Sequence, residues 1–235
     1  MKTAGTRNVR LGRLGLLLTV LGLPAVSCAS TSYHLLRDAS AGTYRIDPDH
    51  SLAWFTIGHA GIGIVAGRFD GIAGSFTVNP KQPDRDRVTV RIPAASIDTN
   101  EKARDKDLRG PHFFDVRKYP EIRFVSTRYE ATGRDDGRLY GHLTMHGATH
   151  TVVFRVHRLG SGPVPELPAP WGGYLTGYVA ETTLDRTRFG IDADQSMLGR
   201  YVHLHVNIEG VRTQPATAGS SSHRSPAPTM AHPHG

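Results

Sequence analysis

Val202-His203-Leu204-His205-Val206-Asn207-Ile208-Glu209 alternates apolar and polar residues without a break. A period of two sets successive side chains on opposite faces of an extended chain. The stretch therefore predicts a strand with Val202, Leu204, Val206 and Ile208 buried and its polar partners wet. The same alternation runs through Ala53-Phe55-Ile57-His59, Val88-Val90-Ile92, Ile122-Phe124-Ser126 and Val152-Phe154-Val156. Turn residues separate these runs: Asn79-Pro80, Asp84, Gly133 with Asp135-Asp136-Gly137, His146-Gly147, and Gly160 to Gly173. About eight antiparallel strands follow from this spacing, arranged as a closed barrel or a sandwich. Closure also removes the unpaired edges that long strands otherwise expose. Only Glu101 to Leu108 favours helix, with Asp98 as the expected cap, Glu101 three residues on, and Gly110 as the stop.

The helical segment opens a connector that no plain strand-to-strand link requires. In Arg104-Asp-Lys-Asp-Leu-Arg-Gly-Pro-His-Phe-Phe-Asp-Val-Arg-Lys-Tyr-Pro120, charges crowd together and are followed by Phe113-Phe114 and Asp115. Ordinary connections are shorter. Two readings stand open: a structured cap over a cavity, or a helix and loop that plug one end of a core. Arg104 and Arg109 are expected to pair with Asp105, Asp107 or Asp115 and hold the connector together.

The chain of 235 residues is long enough for one domain with trimmings at each end. Its 26 glycines and 15 prolines suit a turn-rich β protein. The net charge of +7 is concentrated at the start, in Lys2, Arg7, Arg10 and Arg13. Without those four, 24 basic side chains face 21 acidic ones, or +3, with no basic run, so no nucleic-acid partner is expected. Four cations followed by the apolar stretch Leu14 to Leu23 read as an export signal, too short to span a bilayer. Residues 1–28 form this segment, and it ends at Cys28. As the single cysteine, Cys28 excludes an internal disulfide. Residues 29–42 read as a flexible tether, 43–212 as the folded domain, and 213–235 as a disordered tail rich in Ser, Pro and Thr.

Catalytic and metal chemistry find little support. Ser51 beside His50 is not a catalytic pair, because adjacent strand residues face opposite ways. No Gly-x-Ser-x-Gly elbow, phosphate loop or His-Glu-x-x-His pattern is present. Thirteen histidines raise the question of metal. However, His203 and His205 point away from the apolar set, and His142, His146 and His150 crowd one hairpin without a carboxylate or thiolate set beside them. His59, on the apolar face, reads as a satisfied core histidine. No enzyme activity, cofactor or metal is expected, although a histidine-based metal protein stays as a weaker reading.

The ordered motifs carry a family resemblance. Thr43-Tyr-Arg-Ile-Asp-Pro-Asp-His-Ser51, Phe55-x-Ile57-x-His59, Gly67-x-Phe69 and Gly74-x-Phe76 resemble the opening of the YceI-like family. Ser96-Ile97-x-Thr99 with Arg104-Asp105-x-x-Leu108-Arg109, then Phe113-Phe114-Asp115 and Tyr119-Pro120, is similar to its central signature. Gly141-x-Leu143-Thr144-x-His146-Gly147 and Asp185-Arg186-x-x-Phe189-Gly190-Ile191 complete the set.

The resemblance implies an all-β, extended antiparallel, lipocalin-like β-barrel with one short helical connector. It also implies an exported protein that binds an amphiphilic isoprenoid-type lipid, polyprenyl or quinone-like. By parity the inward, ligand-lining set is Phe55, Ile57, Val90, Ile92, Phe124, Phe154, Val206 and Ile208, with Phe113 and Phe114 contributed by the connector. Cys28 sits where a bacterial lipobox would place its acylated residue, which makes the membrane a second partner through a lipid anchor in the periplasm or cell envelope. The oligomeric state, a homodimer included, stays open. An envelope stress or interaction protein with a filled, closed barrel is the alternative. The chain departs from the family pattern in the proline-rich insert Gly160 to Gly173, expected near a barrel mouth, and in its histidine-containing tail.

Overall fold

The alternating segments do form strands, and the turn residues between them set where each one ends. A computed structural model describes residues 39–215, so the export segment, Cys28, most of the tether and nearly all of the tail lie outside the described residues. The strands are β1 (Gly42–Ile46), β2 (Leu52–His59), β3 (Gly63–Phe69), β4 (Ala73–Val78), β5 (Val88–Pro93) and β6 (Ile97–Asp98). After the helix α1 (Lys102–Leu108) come β7 (Glu121–Ala131), β8 (Asp136–Met145), β9 (Ala148–Val164), β10 (Gly173–Asp185) and β11 (Leu198–Pro215). The strand order β1-β4-β5-β7-β8-β9-β10-β11 closes on itself through β1–β11, giving an antiparallel barrel of eight strands.

The 18-residue β11 makes this closure unusual. One of its edges pairs with β10, from Tyr201↔Asp185 to Val211↔Leu175. The other edge is shared. Its first half pairs with β2, from Leu198↔His59 to Asn207↔Leu52, and its second half with β1, from Gly210↔Ile46 to Pro215↔Gly42. The strands β2, β3 and β6 thus form a side leaf that continues the wall at one end of the barrel, which we call the mouth. At the other end, the base, β1 and β4 complete the ring.

Inward rows are built from unequal residues. Val206 lies opposite Ala53 on one side and Ala180 on the other. Val90 faces Phe124, which faces Leu143. Glycines make room for the rings: a Cβ at Gly67 would meet the Phe55 ring at 2.5 Å, and one at Gly141 would meet Phe124 at 2.4 Å. Glycine on the inner face lets the neighbouring ring lie flat against the wall instead of projecting into the lumen.

The base is filled. Tyr44, fully buried, stacks on Phe76 with centroids 5.2 Å apart and planes 4° from parallel. Tyr178 meets Phe76 edge-on at 5.6 Å. Each such ring pair adds roughly 0.5–1.5 kcal/mol beyond the burial of its area. The Tyr44 hydroxyl donates to the Ser40 carbonyl at 2.6 Å, and burial pushes its pKa up. Ser161 and Thr176, both buried, satisfy each other at 2.7 Å.

Two expectations need correction. The insert from Gly160 to Gly173 is partly strand, since β9 runs to Val164 and β10 starts at Gly173. Its remaining turn sits at the base and not at the mouth, where Trp171 Nε1 donates to Asp49 and Arg45 to the Pro170 carbonyl. The helix is capped by Glu101 and not by Asp98: the Glu101 carboxylate accepts from the backbone N–H groups of Ala103 and Arg104. Asp98 turns outward, accepting from Asn100 N–H and pairing with Arg68 at 3.0 Å.

Candidate functional site

Above the aromatic base the barrel is hollow. A cavity of about 580 Å³ runs from Val88 and Ile208 up to His59, Met197 and Leu198 at the mouth. All ten residues expected to face inward border it: Phe55, Ile57, Val90, Ile92, Phe113, Phe114, Phe124, Phe154, Val206 and Ile208. The strand residues reach it by parity, and the two connector phenylalanines reach it because the chain folds back over the opening. Val202 and Leu204, predicted buried on β11 but left out of the ligand-lining set, border it too, and the same parity applied to β8 would have added Leu139, Leu143 and Met145. Ala180 and Leu184 on β10 had no such signal, because the inward row of that strand also carries Thr176.

The connector is held in place by Thr99. Asp105, nearly buried, accepts from both the backbone N–H and the hydroxyl of Thr99, at 2.8 and 2.6 Å. Arg104 donates to the same hydroxyl at 2.8 Å and to the Thr99 carbonyl at 2.7 Å. Arg109 reaches the carbonyls of Ala95 and Ile97, at 2.8 and 2.5 Å. The arginines therefore do not pair with Asp105, Asp107 or Asp115 as expected. They tie the helix to the segment before it, where a fixed carbonyl offers a partner without the cost of ordering a second long side chain. The loop then closes through Phe114 N–H to the Leu108 carbonyl at 3.0 Å and Val116 N–H to that of Arg109 at 3.2 Å. This leaves Phe114 edge-on to Phe69 at 5.7 Å, and Phe69 tilted against Phe55 at 5.9 Å. The connector thus continues the barrel's aromatic row across its opening.

A second clamp forms the far rim. Arg186, only 4% exposed, donates to the carbonyls of Gly199, Ile191, Ala193 and Leu198 at 2.8–3.2 Å. It folds residues 191–199 over the mouth, which places Ile191, Met197 and Leu198 on the cavity. Beside it, hydrogen bonds from Arg200 and Thr187 hold the Asp185 carboxyl down at about 2. Polar groups at the rim, among them Glu101, Arg104, Asp107 and Asp194, carry both signs of charge.

The histidines do not converge. His203 bonds to Thr183 at 3.0 Å, and His205 stacks on Trp54 at 4.1 Å, both on the outer face. His146 and His150 bond to the carbonyls of Phe189 and Arg188 at 3.0 and 2.7 Å. His142 is exposed on β8. Of the histidines singled out, His59 borders the cavity, at the mouth. Among the described residues, Asp47, His50 and Glu209 bring ligand atoms within 4.8 Å of one another, away from the cavity. Asp47 is already engaged there: one oxygen accepts from Asp49 N–H at 3.1 Å and the other pairs with His50 at 2.9 Å, which raises the imidazole pKa. This is the bonding of a tight turn after β1.

Comparison with known proteins agrees with this architecture. The YceI-like domain matches residues 44–210. A UPF0312 protein of Pseudomonas paraeruginosa is 39% identical over 176 residues, covering 74% of this chain and 89% of its own. Among solved structures, Burkholderia cenocepacia BcnA superposes with a TM-score of 0.63 at 19% identity, over 71% of this chain and 99% of its own. A polyisoprenoid binding domain from Saccharophagus degradans, implicated in plant cell wall breakdown, reaches 0.53 at 14% identity, over 72% and 98%. These structural likenesses speak to the fold, and the sequence match spans nearly the whole barrel. The chain belongs to the YceI-like family.

Proposed function

We propose that the barrel binds an amphiphilic isoprenoid-type lipid, polyprenyl or quinone-like, in its interior and carries, stores or sequesters it without making or breaking a bond. The observation that carries this reading is the cavity. Its volume of about 580 Å³ falls within the roughly 300–1,000 Å³ of small-molecule sites. Its walls are aliphatic and aromatic from Val88 to Leu198, with polar groups gathered at the rim. Each buried CH₂ contributes about 0.8 kcal/mol, so a few isoprene units in such a lumen supply enough to offset the entropy of capture. The Saccharophagus degradans domain, described as polyisoprenoid binding, has the same fold and supports the assignment by analogy.

In the same reading the protein is exported to the periplasm or cell envelope and held at the membrane through acylated Cys28, which lies outside the described residues. The alternative of a filled, closed barrel is hard to reconcile with a hollow lumen. The test is to purify the protein from its native envelope, extract it with organic solvent, and run mass spectrometry and metal analysis on one sample. A stoichiometric prenyl lipid is the expected result. A lipid-free protein that takes up no added polyprenyl alcohol or quinone would overturn the assignment, and stoichiometric zinc or copper would move it to a metal-binding protein.

A further inference from the structure

The turn between β2 and β3 exposes its apolar side chains. Ile62 is 92% and Ile64 76% exposed, more than any other large apolar side chain among the described residues. Ala60 and Gly61 both take positive φ, 52° and 68°, and Ile62 N–H bonds back to the His59 carbonyl at 3.1 Å, so the tip is a tight, ordered turn. Cβ atoms built at Gly58, Gly61 and Gly63 would meet nothing within 4 Å, so the side-chain positions around the tip open to solvent. It lies beside the mouth: Ala60 N–H donates to the Met197 carbonyl at 2.6 Å, and Met197 itself is 48% exposed. His59, Val65 and Met197, next to the tip in the chain or bonded to it, border the cavity, so the exposed isoleucines stand beside the opening of the lumen.

We propose that this hairpin is a wedge that enters the apolar edge of a lipid bilayer and seats the mouth against the membrane, so that a lipid passes into the barrel without crossing water. The proposal rests on the reading of the cavity as a lipid site. A protein partner or a second copy fits the surface less well. A stable protein interface buries roughly 1,200–2,000 Å² in total, and two isoleucines and a methionine on a slender turn present only a small fraction of that. Isolated apolar side chains at a loop tip suit a solvent without fixed shape, because no complementary pocket is required. The rim is mixed in charge, with Glu101, Asp107 and Asp194 beside Arg104, so docking is expected to respond weakly to salt.

The test uses the full chain with Cys28→Ser, which leaves one thiol when combined with Ile62→Cys or, as a base-end control, Thr132→Cys. Each carries a nitroxide and is reconstituted with vesicles of phosphatidylethanolamine and phosphatidylglycerol. Power saturation then compares collisions with oxygen and with a water-soluble nickel chelate. The expected result is a label at position 62 several-fold less accessible to nickel than one at 132. Equal accessibility at both positions, or protein left in the supernatant, overturns the proposal. In the Cys28→Ser background, Ile62→Ser with Ile64→Ser should slow transfer of a radiolabelled polyprenyl alcohol to vesicles several-fold. The amount bound at equilibrium should stay the same. An unchanged transfer rate also counts against the wedge. A shielded label in a protein that binds no polyprenyl alcohol would keep the docking and discard the cavity assignment. Bound lipid with a water-exposed label would do the reverse.

Discussion

The two ends of this barrel obey the same alternation and reach opposite outcomes. At the base, Tyr44, Phe76 and Tyr178 point inward and fill the space with stacked and edge-on rings. Above it, Phe55 and Phe124 also point inward, yet they lie against Gly67 and Gly141, and Val206 faces two alanines. Inward polarity therefore decides only which face meets the lumen. Whether the lumen is core or cavity depends on what stands opposite each ring. A packed base carries stability, and a hollow mouth leaves apolar surface available to something else.

The largest expected effect breaks the base. Tyr44→Ala removes a fully buried ring and should cost about 3–5 kcal/mol in denaturant-induced unfolding. A loss below about 1 kcal/mol would mean that the base is not the packed half. Next comes the connector. Asp105→Ala leaves the buried Thr99 N–H without its acceptor and should cost about 2 kcal/mol, with faster amide exchange confined first to residues 99–116. Exchange that rises evenly over the barrel would contradict a separately pinned cap.

A smaller effect concerns pH. Partial burial pushes Asp86 up to about 7, from an ordinary value of about 3.9, although it accepts a hydrogen bond from Asn79 N–H at 2.7 Å. A carboxyl raised in the folded state binds its proton more tightly there than in the unfolded chain. Its contribution is thus fully present below about pH 4 and is lost as pH rises through about 7. Asp86→Asn should flatten that fall between pH 4 and 7, and an unaltered slope in a urea titration would assign it to other groups. The smallest expected change in stability is within the cavity. Ala180→Trp should shift unfolding by less than about 1 kcal/mol, because the ring enters empty space, whereas overpacking a filled core costs about 1–3 kcal/mol. The same substitution should weaken uptake of a polyprenyl alcohol at least tenfold. Strong destabilisation would show that the cavity is smaller than it looks.

Much of this contrast could be read in the chain. The apolar parity of 53–57, 88–92, 122–126 and 202–208 identified inward residues correctly because each strand has a wet outer face. β10 escaped such reading: its inward row runs Thr176, Tyr178, Ala180, and the polar member is satisfied by Ser161 from the neighbouring strand, a contact no local pattern encodes. The glycines at 67 and 141 sit inside β3 and β8, each under a ring supplied by another strand, which local spacing does not reveal. The connector's charges suggested ion pairs among themselves. Their partners are Thr99 and three carbonyls, fixed by how the chain turns back and so invisible in spacing alone. The exposed hairpin was also missed, since its isoleucines alternate like those of any buried strand.

The divided edge of β11 has a consequence for how the barrel is made. A chain synthesised from its N-terminus presents β1 and β2 early, each with one neighbour, β4 and β3. Their remaining edges have no partner until residues 198–215 arrive at the opposite end of the sequence. Three strands then gain a partner from the same segment, across sequence separations of up to about 170 residues, as between Thr43 and Thr213. Such distant pairing is slow, and until it happens three strand edges, those of β1, β2 and β10, stand open. A copy of this protein interrupted before Leu198 would lack more than one stave: neither end of its wall would close.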